Sequence, residues 1–97
     1  MNIFENYLSK ISDIILDNKD DLNLNHTDNL KSVNLEVPPD HFNFDLSTNI
    51  CLILSKVNKI DPNNLAKDIK KLLLENINHF EVIEIAGPGF LNIKLSK

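Results

Sequence analysis

The sequence contains little of several residue types, and each shortage excludes a class of protein. It has one cysteine, so no intrachain disulfide can hold the fold together. Its longest apolar runs, such as residues 50–54, are far too short to span a membrane. The N-terminus also lacks the basic-then-apolar order of a secretory signal peptide. These absences predict a cytoplasmic chain in which Cys51 is a reduced, buried thiol.

Positive charge is scarce as well. Ten basic residues, all of them lysine, stand against 14 acidic residues and give a net charge of −4. A general electrostatic attraction to nucleic acid needs a basic surface, so any contact with RNA must depend on a few local groups. The length of 97 residues and the apolar content of 42% are those of one domain, residues 1–97, with a modest core.

Apolar residues recur at helical spacing in three stretches of the chain. The first covers roughly residues 1–18, and the second runs from about residue 50 to about Lys59. The third opens at Asp61-Pro62, where a capping carboxylate precedes a proline at the first helical position. Three further residues that can cap a helix precede the second stretch: Asp45, Ser47 and Thr48. Residues 18–32 are polar with isolated leucines and predict a long surface connection.

Strands are predicted where apolar and polar residues alternate. Residues 33–37 alternate and are stopped by two prolines, while Phe42 and Phe44 indicate a second short strand. Residues 80–86 and 90–95 predict two strands that form a hairpin around a three-residue turn. The order of helix, two strands, two helices and two strands predicts a two-layer α+β sandwich with an antiparallel four-stranded sheet. The second face of this sheet is open to solvent or to a partner.

Both glycines of the chain stand at one corner, Gly87-Pro88-Gly89, where a tight hairpin needs positive φ or close backbone approach. In the next strand, alternation predicts that Phe90, Asn92 and Lys94 point away from the core. A ring can stack on an unpaired base, an amide can bond to the edge of that base, and an ammonium can approach a phosphate. The alternative is that Phe90 covers the turn or packs on the first strand pair, with the two polar residues simply solvated.

Lysines on the second and third helices form a basic cluster: Lys56, Lys59, Lys67, Lys70 and Lys71. Contacts of Lys67, Lys70 and Lys71 with phosphate are one interpretation. The other is a solvated face whose charges also suit the C-termini of the helices.

The sequence supports neither a metal site nor a nucleophilic catalytic site. The chain has three histidines and a cysteine without metal-ligand spacing, so no metal is predicted: His26, His41, His79 and Cys51. A nucleophile system could be assembled from Ser47, His41 and Asp45, but no nucleophile elbow or oxyanion loop accompanies them. These residues are expected to serve the turn and the helix cap.

The segments FDLSTNICLILSKVNKIDPNNLAKDIKKLL and FEVIEIAGPGFLNIKLS carry a resemblance that covers residues 37–95. Together they resemble the N-terminal appended domain of arginyl-tRNA synthetases, whose motif Val-Glu-Ile-Ala-Gly-Pro-Gly-Phe-Ile/Leu-Asn is nearly reproduced at residues 84–92. Six further positions match the family: Asp45, Asn49, Lys56, Pro62, Leu65 and Ala66. Two depart from it, because Phe44 stands where the family usually has glycine and Leu46 where it usually has an aromatic residue.

The resemblance implies that Phe90 and Asn92 recognise an exposed base of the tRNA D-loop. The implied partners are tRNA(Arg) and the catalytic domain of the same chain. The resemblance implies no cofactor in this domain, and ATP and Mg²⁺ in the parent enzyme.

The His-x-Gly-His signature and the lysine-serine loop of such enzymes are absent from the sequence. The chain is therefore expected to be the non-catalytic front of a longer arginine-tRNA ligase. The alternative is a free-standing protein-interaction module that uses the exposed sheet face or the lysine-bearing helices.

Overall fold

The computed structural model of the chain describes residues 3–38 and 43–96, apart from the side chain of Lys31. Within these residues, the elements are α1 (Ile3–Asp17), a 3-10 helix (Asp28–Ser32), β1 (Leu35–Glu36), β2 (Leu46–Thr48), α2 (Ile50–Asn58), α3 (Pro62–Asn76), β3 (Phe80–Ala86) and β4 (Phe90–Leu95). This order confirms the predicted α+β fold. Among the described residues, the helices do not have the length and apolar character that a membrane span requires.

The four strands pair antiparallel in the order β1-β2-β4-β3, so β4 lies inside the sheet. One row of opposite residues crosses the whole sheet: Glu36, Ser47, Asn92 and Glu84. The next row contains Leu46, Ile93 and Ile83, which are all buried. Because side chains alternate along each strand, these two rows point to opposite faces. The face that carries Asn92 is turned away from the core and is called the outer face below.

The core lies between the helices and the inner face of the sheet. Ten of its residues have no exposed surface: Ile11, Ile15, Ile50, Cys51, Leu54, Ala66, Ile69, Leu73, Leu91 and Ile93. Burial of each large aliphatic side chain contributes about 1.5–3 kcal/mol, so these residues are the main source of stability. Leu91 and Ile93 of β4 are part of this core, and the residues that alternate with them lie on the outer face.

The connection between α1 and β1 differs from the predicted surface loop. Leu22 and Leu24 are buried, and the connection also contains the 3-10 helix. The side chain of Asn58 organises it, since its Oδ1 accepts from the backbone N–H groups of Asn25 and His26, both at 2.8 Å. The prediction was wrong here because isolated leucines have no periodicity, and the bonds that order this connection come from Asn58, which lies 33 residues from Asn25 and 32 from His26.

The first strand is shorter than predicted, and the second begins later in the chain than predicted. β1 covers only Leu35–Glu36, and β2 lies at Leu46–Thr48. The expectation of a strand at Phe42 and Phe44 is wrong for Phe44, which precedes β2, while Phe42 lies outside the described residues. Pairing with β4 decides the position of β2, because it sets Leu46 opposite Ile93 in the core. Such pairing is not visible in local sequence.

The predicted cap of α3 is confirmed, whereas the cap of α2 is only partly as predicted. At α3, Asp61 Oδ2 accepts from the backbone N–H of Asn64 at 2.9 Å, and proline follows at the helix start. At α2, Thr48 Oγ1 accepts from the N–H of Ile50 at 3.3 Å. The N-cap position itself belongs to Asn49, Ser47 lies in β2, and the carboxylate of Asp45 binds β4 instead. Asp45 and Ser47 are therefore not helix caps, because β2 occupies the segment in which they stand.

Replacing Asp61 with alanine is expected to lower the free energy of unfolding by about 1 kcal/mol, because the Asn64 N–H loses its side-chain acceptor. Asp61→Asn is the matched control, since asparagine caps a helix as well as aspartate does. Urea unfolding of the two variants and the wild type measures the difference. Equal losses for Asp61→Ala and Asp61→Asn would contradict the assignment of the cap.

Cys51 lies in α2 with no exposed surface, as predicted for a core thiol. Burial raises the pKa of Cys51 from 9.0 to about 12, because the apolar surroundings disfavour the thiolate. The thiolate is the reactive form, so a shift from 9.0 to about 12 lowers its fraction by about 1,000-fold near pH 8. We expect an absorbance-detected thiol reagent to modify Cys51 at pH 8 only in urea. Rapid modification of the folded chain would contradict this burial.

Candidate nucleic-acid interface

The corner Gly87-Pro88-Gly89 joins β3 to β4 and packs against α2. Both glycines have positive φ, +53° at Gly87 and +83° at Gly89. A Cβ on Gly89 would lie 2.7 Å from the backbone nitrogen of Leu52, which donates a hydrogen bond to the Gly89 carbonyl at 3.1 Å. Glycine at this position thus permits both the turn and direct contact of its backbone with the first turn of α2. The corner fixes the position where β4 begins.

Phe90 is the first residue of β4, and its side chain is on the outer face with 36% of its surface exposed. Its Cδ1 lies 3.9 Å from the place a Cβ would take on Gly87, so one edge of the ring lies beside the corner. Among the described residues, the only close pair of aromatic rings is Tyr7 and Phe80, which leaves Phe90 without an aromatic neighbour there. The ring combines contact with the corner and a surface available for stacking.

Asn92 and Lys94 follow Phe90 on the outer face, as predicted. Asn92 is half-buried between Ser47 and Glu84, and Lys94 is exposed opposite Val82. β4 is held from both sides, since β3 pairs with one edge and β2 with the other. These side chains therefore project from a fixed backbone.

Asp45 extends the contact of β4 beyond the end of β2. Its N–H donates to the carbonyl of Ile93 at 2.9 Å, and its Oδ2 accepts from the N–H of Leu95 at 2.8 Å. The carboxylate thus takes the place of a backbone acceptor where the chain turns away from the sheet. Asp45 therefore has a structural role, which accounts for a carboxylate at this position without a catalytic function.

A small recess adjoins the ring of Phe90 on the outer face. It is lined by Asn34, Glu36, Ser47, Thr48, Asn49 and Phe90, and this set is called the recess below. Its volume of about 40 Å³ exceeds the roughly 10–15 Å³ that one water molecule needs on the same measure. The recess can therefore hold a water molecule or a small polar group beside the ring.

Sequence reasoning missed the residues on the far side of the recess. Glu36 and Ser47 are opposite one another in β1 and β2, and Asn49 Oδ1 accepts from the N–H of Asn34 at 3.0 Å. Alternation in residues 33–37 could have placed Glu36 on the same face as the polar residue Asn34. Its proximity to Phe90 could not be found, because it depends on the pairing of β2 with both β1 and β4.

The predicted phosphate contacts lie away from Phe90. Three lysines line one groove between α3 and the edge strand β3, together with apolar and acidic residues: Lys67, Lys70, Lys71, Leu74, Glu75 and Ile85. We call it the lysine groove. Lys56 and Lys59 are not among its lining residues. Since Ile85 is opposite Leu91, it points to the inner face, so the groove lies on the helical layer and the Phe90 ring on the other side of the sheet.

The other candidate sites are not assembled in the described residues. No group of three or more His, Cys, Asp and Glu residues in this part of the chain could hold a metal ion. For the nucleophile system, Ser47 lies on the outer face, and the carboxylate of Asp45 accepts from the backbone N–H of Leu95. His41 lies outside the described residues.

Known proteins are similar to nearly the whole of this chain. Residues 2–95 match the family described as the arginyl tRNA synthetase N terminal domain. Similar proteins are an arginine–tRNA ligase of Pelagibacter ubique (strain HTCC1062), 40% identical over 94 residues, and one of Bartonella quintana (strain Toulouse), 39% identical over 103 residues. A third is an arginine–tRNA ligase of Rickettsia felis, 40% identical over 95 residues.

These alignments cover 97%, 100% and 98% of this chain, respectively, and 16% of each relative. The chain thus spans only a small part of the length of the ligases it matches. Because the family match covers nearly all of its residues, the chain belongs to the arginyl tRNA synthetase N terminal domain family.

Proposed function

We propose that this chain is the tRNA-recognition domain of an arginine–tRNA ligase and that it binds one unpaired base in the D-loop of tRNA(Arg). The observation that carries the proposal is the placement of Phe90 and Asn92 side by side on the open face of a rigid strand. Family membership supports tRNA as the partner and a catalytic domain as the neighbour in the parent chain.

The chemistry of the outer face suits a base better than a phosphate. The Phe90 ring offers a stacking surface, and stacking of one base on an aromatic ring contributes about 1–3 kcal/mol. The Asn92 carboxamide has both donors and an acceptor for the edge of that base. Glu36 and Glu84 stand in the same row as Asn92 and add negative charge, which disfavours a phosphate group there. This arrangement favours discrimination between bases over general affinity for RNA.

Rigidity of the strand matters for this role. The corner packs on α2, while β2 and β3 hold the two edges of β4. The interacting side chains therefore lose little backbone freedom when a base binds, which lowers the entropic cost of association.

In this proposal, the parent enzyme joins arginine to tRNA in the cytoplasm, with ATP and Mg²⁺ bound by parts of the enzyme outside these 97 residues. The domain described here contributes no catalytic group. It contributes selectivity, while most of the affinity for tRNA comes from the remainder of the enzyme.

An NMR titration of the isotope-labelled chain with an arginine tRNA transcript tests the proposal. We expect chemical shift changes centred on residues 89–94 that disappear when the recognised D-loop base is changed. Shifts confined to the lysine groove without dependence on any D-loop base would contradict base recognition. They would leave the domain as an electrostatic support.

The lysine groove favours a second candidate function, that of a protein-interaction module. Its apolar residues Leu74 and Ile85 lie beside three lysines, a combination that suits a partner with apolar and acidic side chains. This candidate predicts no shift changes with tRNA at concentrations that would detect millimolar binding. The titration therefore distinguishes the two functions.

A further inference from the structure

The lysine groove and the Phe90 ring are on opposite faces of the sheet, but a single strand separates them. Ile85 lines the groove, and the next residue, Ala86, is opposite Phe90 in the pairing of β3 with β4. Among the described residues, no further strand of this sheet lies beyond β3. Neighbouring strands are about 4.8 Å apart, so the ring is about one strand spacing from the edge of the sheet. The groove and the ring are therefore at the same end of the sheet, on the two sides of one edge.

The groove has a local excess of positive charge, although the whole chain carries −4. Lys67, Lys70 and Lys71 line it from neighbouring turns of α3, against the single carboxylate of Glu75. The side chains of Lys67 and Lys71 are exposed, and that of Lys70 is half-buried. A lysine carries its ammonium on a flexible four-carbon stem and binds phosphate as a point charge. The groove therefore suits an anionic backbone that passes along α3.

An RNA strand can leave the Phe90 ring in two directions across the sheet. Toward β2 and β1 it meets the carboxylate of Glu36 in the recess. Toward β3 it crosses Ala86, whose side chain is short and uncharged, and reaches the lysine groove. Glu84 lies two residues before Ala86 on the outer face, so it stands beside this path and does not line the groove. Attraction by ammonium groups and repulsion by carboxylates favour the path over β3.

We propose that the lysine groove binds the phosphates next to the D-loop base that stacks on Phe90, and that the RNA strand passes over the edge of the sheet at Ala86. This inference rests on the proposed function, because it requires a base on Phe90. It divides the work between the two sides of the edge. The outer face reads the base, while the groove holds the backbone and contributes attraction that does not depend on sequence.

Lys67→Gln and Lys71→Gln test the inference, each as a single variant. A phosphate contact with an unpaired strand contributes about 0.7 to the slope of log affinity against log salt concentration. Each variant should therefore lower this slope by about 0.7 and weaken binding by roughly fivefold at 0.1 M salt. NMR titration of the labelled chain with the arginine tRNA transcript at several salt concentrations measures both. The base-dependent shift change of Phe90 should remain in each variant.

Lys56→Gln and Lys59→Gln are the matched controls. Both lysines are exposed and do not line the groove, and they lie at the C-terminal end of α2. The corner packs on the first turn of that helix, so these two charges are far from the path over Ala86. Each control removes the same single charge from the chain. The salt slope of the wild type should be retained in both.

A change in the RNA identifies the groups that the lysines contact. The phosphates on both sides of the recognised D-loop base are replaced by uncharged methylphosphonates. The wild type should bind this tRNA roughly fivefold more weakly for each contact that is lost. A groove variant that already lacks the contact should show a smaller loss than the wild type, because the substitution and the neutral phosphate remove the same interaction.

Three results would overturn the inference. If the groove variants keep the salt slope while Phe90 keeps its base-dependent shift, the groove does not bind RNA, the proposed function still stands, and a protein is the better partner for the groove. If the controls lose as much slope as the groove variants, the effect is one of general charge. If the wild type shows no dependence on any D-loop base, the proposed function fails together with the inference.

Discussion

Replacing Gly89 with alanine is expected to lower the free energy of unfolding by about 2–5 kcal/mol. Two effects add. A non-glycine residue at φ +83° carries the cost of a left-handed conformation, about 1–2 kcal/mol. Its Cβ would also lie 2.7 Å from the nitrogen and 3.0 Å from the Cα of Leu52, and backbone atoms of a helix cannot easily shift, which adds about 1–3 kcal/mol. Urea unfolding of the variant measures the sum.

Gly87→Ala is the control for the conformational part of this effect. Gly87 also has positive φ, at +53°, but the nearest atom to its Cβ position is Cδ1 of Phe90 at an ordinary 3.9 Å. We therefore expect a loss of only about 1–2 kcal/mol. Equal losses at the two glycines would show that the contact between Gly89 and α2 adds nothing. A domain stability of about 5–15 kcal/mol makes the difference easy to resolve.

Phe90→Ala is expected to lower kcat/KM of the full-length ligase for tRNA(Arg) by roughly 5- to 150-fold, which corresponds to about 1–3 kcal/mol. The physical reason is the loss of the stacking surface. Asn92→Ala should have an effect of similar size through the lost hydrogen bonds to the base. Steady-state aminoacylation with varied tRNA concentration measures both.

Val82→Ala is a matched control for Phe90→Ala. Val82 is on the outer face of β3, opposite Lys94, with 44% of its surface exposed. It is thus another exposed apolar residue of the same face, but it lines no part of the recess. The control should retain the kcat/KM of the wild type. An unchanged value for Phe90→Ala, or an equal fall for Val82→Ala, would contradict base stacking on Phe90.

Local patterns in the sequence predicted the elements whose stability depends on near neighbours. The apolar periodicity of α1 and α3, the Asp61 cap and the hairpin around the corner are confirmed. The outward direction of Phe90, Asn92 and Lys94 is confirmed as well, because alternation along a strand determines it. Their role in base recognition stays a prediction.

The sequence by itself determined which side chains β4 presents, and the tertiary structure decided what stands beside them. The pairing of β2 with β4 and β1 brings Glu36 and Ser47 close to Phe90. The packing of the corner on α2 requires glycine at position 89 for close backbone contact as well as for the turn. Because α3 packs on the inner face of the sheet, the lysine groove lies on the side opposite the Phe90 ring. Periodicity is a local property of the backbone, whereas pairing and layer order depend on contacts between residues distant in the chain.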